Sequence, residues 1–141
     1  MIRIESTINR KEIEEFLFDP DIHDFLIPDD SLKEGDKKLL ELKSKFFIAS
    51  YDSIHAAIFL LLPLDDESAG INVGIKKEFR GKVGYEICKK MADFVRNVLG
   101  FTYLLARIRY TNKKSILFAH QMGFKQIGGN SIYKYMGVSY G

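Results

Sequence analysis

A single cysteine, Cys88, stands in 141 residues, so neither an internal disulfide nor a cysteine-built metal site is available. Proline is scarce too: Pro20 and Pro63 read as element ends and Pro28 falls in a polar stretch. The longest strongly apolar run, residues 56–62, falls well short of the ~18–20 residues of a membrane span. The opening MIRIEST has neither the apolar core nor the small-residue cleavage site of a secretory leader. Internal repeats, low-complexity tracts and linkers are missing, as is the complete phosphate-loop pattern G-x-x-x-x-G-K-[S/T], which argues against nucleotide hydrolysis of that kind. These absences lead us to expect one cytosolic domain, residues 1–141, with no metal and no membrane contact.

What is present is charge with a direction. Residues 1–70 hold 16 acids and 8 bases, a net −8, whereas residues 71–141 hold 3 acids and 13 bases, a net +10. The basic half suggests a ligand that carries phosphate. Nucleic acid is the less favoured version, because the aromatic residues do not interleave with the basic ones as stacking platforms would.

Periodicity divides the chain into alternating elements. A first strand fits residues 1–6, and a helix capped by Asn9 fits 10–18, with Ile13, Phe16 and Leu17 on one face. A short helical turn at 21–25 and a polar loop at 27–37 precede two β-like runs, 46–50 and 54–62, joined as a hairpin. Strands are expected at 71–75 and 101–108, with a helix at 85–99 between them that Gly100 stops. A helix at 112–122, capped by Thr111 or Asn112, ends at Gly123, and strands at 124–127 and 132–138 close the chain around Gly128-Gly129-Asn130. The expected class is α/β: a mixed sheet with a right-handed β–α–β crossover formed by 71–108.

The stretch INVGIKKEFRGKVGYE, residues 71–86, is the sharpest clue. A strand feeding a helix through glycine-punctuated, basic backbone presents free amides to an anion. Its plain reading is only a turn. Arg80 and Lys82, with Lys77, could supply mobile positive charge there, whereas Lys76, Lys77, Lys89 and Lys90 could simply be solvated surface.

The order strand, R-G-K-x-G turn, helix, strand, then N-x-x-S and a short helix ending in Gly-Phe resembles the GNAT family of acetyl-CoA-dependent N-acetyltransferases. The match covers roughly residues 46–136. Arg80 takes the first place of the family's turn signature; Val83 and Tyr85 fall where small residues are usual, and glycine stands at Gly81 and Gly84. Asn112, Ser115, Gly123 and Phe124 answer to the second signature. The resemblance implies a mostly antiparallel sheet of six or seven strands with helices on both faces, residues 1–45 forming an N-terminal strand, helices and loop. It implies acetyl-CoA as co-substrate and an amine as acceptor. The diphosphate would lie on Gly81, Lys82, Val83, Gly84 and Tyr85 beside Arg80, and the pantetheine arm along Val73 and Ile75, with Asn112 and Ser115 opposite.

The same resemblance locates what is missing. Its usual carboxylate base on the fourth strand has no counterpart between Ala69 and Lys77, where Asn72 stands instead, and its usual tyrosine acid, seven residues after the asparagine, is Ala119. Tyr110 and His120 are the candidate replacements, although one residue's shift turns His120 about 100° around its helix. Asp65, Asp66 and Glu67 could act through water; His23 and His55 are isolated, and Cys88 reads as a core residue. The opening INRKEIEEFLFDPDIHDFLIPDD also resembles the small GNAT-like proteins of short-tailed bacteriophages. That likeness implies an alternative, a non-catalytic protein of virion or head assembly with phage proteins as partners.

Overall fold

The computed structural model describes residues 1–17, 19 and 45–140. The helical turn and loop expected at 21–25 and 27–37, and His23, lie outside the described residues. Strand β1 (Ile2–Thr7) leads into helix α1 (Arg10–Leu17), whose cap is the expected Asn9: its Oδ1 accepts the amide of Glu12 at 3.2 Å. Strands β2 (Lys45–Tyr51) and β3 (Ile54–Pro63) form the hairpin. Asp52 and Ser53 both take positive φ, 48° and 70°, as a two-residue hairpin turn requires.

Strand β4 (Ser68–Ile75) begins three residues earlier than the pattern suggested, because Asp65 organises the turn before it. The Asp65 carboxylate accepts the amides of Glu67 and Ser68 at 2.8 and 2.7 Å, and those two bonds hold its pKa below the ordinary carboxylate value. A short 3₁₀ turn (Lys77–Phe79) then leads to helix α2 (Lys82–Phe94), which also starts three residues early and continues through a wider π-type turn (Val95–Leu99) to Gly100. Strand β5 (Tyr103–Arg109), helix α3 (Lys113–Gln121) and strands β6 (Lys125–Gly129) and β7 (Tyr133–Ser139) complete the chain. The last turn sits later than expected: Gly128 and Gly129 lie within β6, and Asn130 Oδ1 makes the turn by accepting the amides of Ile132 and Tyr133.

The seven strands form one sheet in the order β1-β2-β3-β4-β5-β7-β6, antiparallel throughout except between β4 and β5. This is the expected mixed, mostly antiparallel architecture. Alternation along the strands assigns each face. Phe47, Ala57, Phe59, Leu61, Ala69 and Leu104 point to one side, where Ile87, Met91 and Val95 of the α2 segment close over them. α1 lies on the other side, its Phe16 ring 6.2 Å from that of His55.

His55 reaches that side through an irregularity. Register slips between Ala49 and Ser50, so Ala56 is left between Ala57 and His55 as a bulge, and the side chains beyond it change face. His55 Nδ1 then lies 3.3 Å from Glu15 and Nε2 3.6 Å from Glu12, while Lys76 bonds Glu15. Partial burial raises the Glu15 pKa, but hydrogen bonds and charge from Lys76 and His55 outweigh it, and the net shift is downward.

Phe59 is 1% exposed at the centre of the α2-side core. Phe59→Ala is expected to cost about 3–5 kcal/mol, read as a lower urea midpoint with unchanged slope. The lowered pKa of Glu15 has its own consequence. A carboxylate whose folded pKa is depressed stabilises the fold above its unfolded pKa and loses that contribution as pH falls through the folded value. Glu15→Gln should therefore flatten the acid limb of a melting-temperature profile below about pH 4.5, and an unchanged limb would count against the network.

Candidate functional site: the cleft between strands β4 and β5

Strands β4 and β5 pair over only three positions, Ser68 with Tyr103, Ala69 with Leu104 and Gly70 with Leu105. Just before them the Glu67 carbonyl accepts the amides of Thr102 and Tyr103 at 2.9 and 3.0 Å, pinning the two strands at this end. Beyond Gly70 they part, although β4 continues to Ile75 and β5 to Arg109. Strand β4 remains paired to β3 as far as Ile75, so its side toward β5 is lined by backbone without a strand partner. The result is a wedge in the sheet.

The N-terminus of α2 stands at the open end of that wedge. After the 3₁₀ turn, Arg80 is extended and Gly81 takes φ 97°, ψ −136°, a conformation open to glycine and strained for other residues. The first helical bond is donated by Tyr85 to the Gly81 carbonyl at 2.9 Å. The amides of Gly81, Lys82, Val83 and Gly84 therefore have no helical carbonyl to donate to, and the helix dipole adds positive potential there. Tyr85 does not join them: its amide belongs to the helix, and its ring lies under Lys89, 5.7 Å away.

Gly84 has a second reason to be glycine. A Cβ at this position would come 2.9 Å from the Phe79 carbonyl oxygen and 3.2 Å from Ile75 Cδ1. Its absence lets α2 settle on the end of β4 and hold the amides against the wedge. Arg80 folds back across the same end, its Nε donating to the Ile75 carbonyl at 3.1 Å. Lys77 and Lys82 are exposed, and no ion pair engages them among the described residues. Lys90 and Lys76 have structural work instead: Lys90 Nζ donates to the Ile2 carbonyl at 2.8 Å, and Lys76 bonds Glu15.

Across the wedge, Asn112 caps α3, its Oδ1 accepting the amide of Ser115 at 3.2 Å. Cap and ligand contact are compatible, because the cap uses only the carbonyl oxygen and leaves the side-chain NH₂. Val73 and Ile75 lie on the unpaired length of β4, and their side chains pack toward the α2 core while their backbone lines the wedge.

Of the candidate acid–base groups, Tyr110 is turned away from this point. Tyr110 turns toward the edge of the sheet, where its hydroxyl lies so close to Gly129 of β6 that a Cβ there would meet it at 2.5 Å. Strand β7 separates that position from β5. His120 is exposed on α3, and Ala119 beside it is buried in the core. The acidic loop at 65–67 stands at the pinned end of the wedge, and the Asp65 carboxylate is committed to its own turn. Cys88 is buried, and desolvation pushes its thiol up to about 12, so it stays protonated near neutral pH. Two features were missed in the sequence. The Glu12–Glu15–His55–Lys76 network joins residues up to 61 positions apart and has no local signature. A basic, aromatic strand face, carrying Tyr103 and Arg107 on β5, was hinted at by the alternation in YLLARIR.

A cavity of about 490 Å³ is lined by Ser6, Thr7, Ile8, Ile13, Lys45, Phe46 and Phe47, and shares no residue with the wedge. No group of three or more His, Cys, Asp or Glu among the described residues could hold a metal ion, and none of their helices is long and apolar enough to cross a membrane.

No family model and no curated protein sequence matches the chain. Solved structures do. The Campylobacter jejuni N-acetyltransferase PseH in complex with acetyl coenzyme A superposes with a TM-score of 0.74 at 15% identity, covering 100% of both chains. The F149G mutant of the spermidine N-acetyltransferase SpeG from Vibrio cholerae gives 0.76 at 14% identity, over 99% of this chain and 94% of that one. The chain has the GNAT acetyltransferase fold. At these identities the likeness extends to the course of the backbone, the level at which GNAT neighbours and this chain agree.

Two substitutions test the geometry of the GNAT-like turn. Gly84→Ala should destabilise by about 1–3 kcal/mol through overpacking against backbone, and Gly81→Ala by about 1–3 kcal/mol through its φ. Chemical denaturation reads both. A neutral result at Gly84 would mean that α2 does not sit as close to β4 as described.

Proposed function

We propose that this protein is an acetyl-CoA-dependent N-acetyltransferase of the cytoplasm, acting on an amine. The observation that carries the proposal is the wedge between β4 and β5 opening onto four unbonded helix amides. In PseH, the fold this chain shares is found with acetyl coenzyme A bound. The diphosphate would take the amides of Gly81, Lys82, Val83 and Gly84, with Arg80 and Lys82 adding charge. The pantetheine amides would pair with the β4 backbone at Val73 and Ile75 as an added strand, met from the far side by Asn112, with Ser115 in the same turn.

Chemistry at this site is governed by positioning. The amine nitrogen attacks the thioester carbonyl, the C–S bond breaks, and the nitrogen's proton passes to solvent. A thiolate leaving group has a pKa near that of cysteine, about 8.5, and departs with little help from an acid, which makes Ala119 tolerable. With Asn72 where a base is usual, the acceptor must arrive already neutral. Holding amine and thioester together still supplies a large rate advantage, through entropy settled on binding.

The likeness to short-tailed phage proteins, together with Asn72 and Ala119, favours one second reading, a non-catalytic role in virion or head assembly. That role predicts co-purification with virions and no turnover of any amine.

Calorimetry should give saturable heat with acetyl-CoA, weakened about tenfold in Arg80→Ala, the size of one charge-assisted contact. No heat at millimolar acetyl-CoA would sink the binding claim. For an accepted amine, log kcat/KM should rise with pH at a slope near one up to the amine's own pKa, because no carboxylate on β4 is there to take the proton. A plateau well below that pKa would reveal an internal base and contradict the account given for Asn72.

A further inference from the structure

The face of the sheet opposite α2 carries a charge that CoA binding leaves unused. Leu104, Ala106 and Ile108 of β5 pack toward the α2 core, so the alternate residues Tyr103, Arg107 and Arg109 face the other way. Strand β7 brings Tyr135 level with Arg107 and Tyr133 level with Arg109. The guanidinium carbon of Arg107 lies 4.5 Å from the centre of the Tyr133 ring. A guanidinium on an aromatic face still has N–H donors to offer an anion. Arg107 is exposed, and no ion pair engages it among the described residues. The neighbouring surface is kept flat: the Tyr103 hydroxyl lies over Gly137 within the distance a Cβ would need.

Register connects this surface to the wedge. Gly70 pairs with Leu105, so two residues further along each strand Asn72 and Arg107 stand on opposite lips of the opening and on the same face. An acceptor cannot approach from the α2 side, where Ile87, Met91 and Val95 are 0–1% exposed. It must cross the face that carries Arg107.

We propose that the acceptor amine bears an anionic oxygen group, phosphate or carboxylate, bound by Arg107 on its Tyr133 platform while the nitrogen reaches the thioester beside Asn72. This inference rests on the transferase reading above. A polycationic amine such as spermidine meets Arg107 as a like charge, within a half of the chain that carries net +10 by 13 bases to 3 acids. A phosphate or carboxylate meets a planar donor fork of matching shape.

Thiol release from acetyl-CoA tests it with glucosamine, glucosamine 6-phosphate, muramic acid and spermidine as acceptors. The anionic sugars should exceed glucosamine in kcat/KM by about tenfold or more, the size of one charge-assisted contact, and whichever of the two leads identifies phosphate or carboxylate. Spermidine should be the poorest. Arg107→Glu should reduce the anionic-to-neutral ratio to near one or below, acting mainly through KM, and Arg107→Lys should keep part of it. Melting temperatures establish that both variants fold. A ratio near one in the natural chain, a preference for spermidine, or a ratio unmoved by Arg107→Glu overturns the inference while leaving acetyl transfer intact. Failure to turn over any of the four, with acetyl-CoA binding retained, instead removes the transferase reading and this inference with it.

Discussion

Parallel pairing between β4 and β5 stops after three residues, and most of what is distinctive in this protein follows from that stop. At one end the strands are held by Glu67, whose carbonyl receives two amides from the start of β5. At the other, β4 is claimed by β3 through Ile75 and capped by α2, while β5 is claimed by β7 along its whole length. Each strand is satisfied on its outer side, so nothing draws the inner edges together beyond Gly70. A sheet ordinarily hides such edges, because unpaired backbone is both costly and adhesive. Here the exposed edges lie inside the molecule, where an extended, amide-bearing ligand can supply the missing partner.

The glycines at the helix start set free amides at the open end of this wedge. Gly81 supplies a backbone conformation that leaves the first amides pointing outward, and Gly84 removes the one side-chain carbon that would keep α2 from the strand. The exposure of those amides and the packing of the helix therefore depend on the same short segment. Among the described residues, several of the groups considered for acid–base chemistry are engaged elsewhere. Asp65 serves a turn, Tyr110 covers the β6 edge, and Cys88 is a buried protonated thiol. On the proposed reading such a site holds and aligns, and an acceptor whose amine is already neutral suits it.

Much of this was legible in the chain because it is local. Strand and helix periods, the caps Asn9 and Asn112, and the stops at Gly100 and Gly123 depend on residues a few positions apart, and each appears as read. Boundaries moved where a side chain reorganised a turn: Asp65 lengthened β4, and Asn130 displaced the last turn. The amide of Tyr85 is not among the free ones for a geometric reason. A helix spends its own amides from the fourth residue after the cap onward, so the helix start at Lys82 decides which amides remain.

By itself the sequence determined the mixed α/β class, the glycine-punctuated basic turn between strand and helix, the acidic-to-basic division and the absence of a carboxylate on β4. All of these are properties of composition or of neighbours along the chain. Only the tertiary structure decided that β4 and β5 separate, that a bulge at Ala56 turns His55 toward α1, and that Arg107 shares a lip and a face with Asn72. Such facts depend on which strands become neighbours and in what register. Register is set by the whole sheet at once, through side-chain alternation and the satisfaction of backbone bonds, and no local stretch contains it.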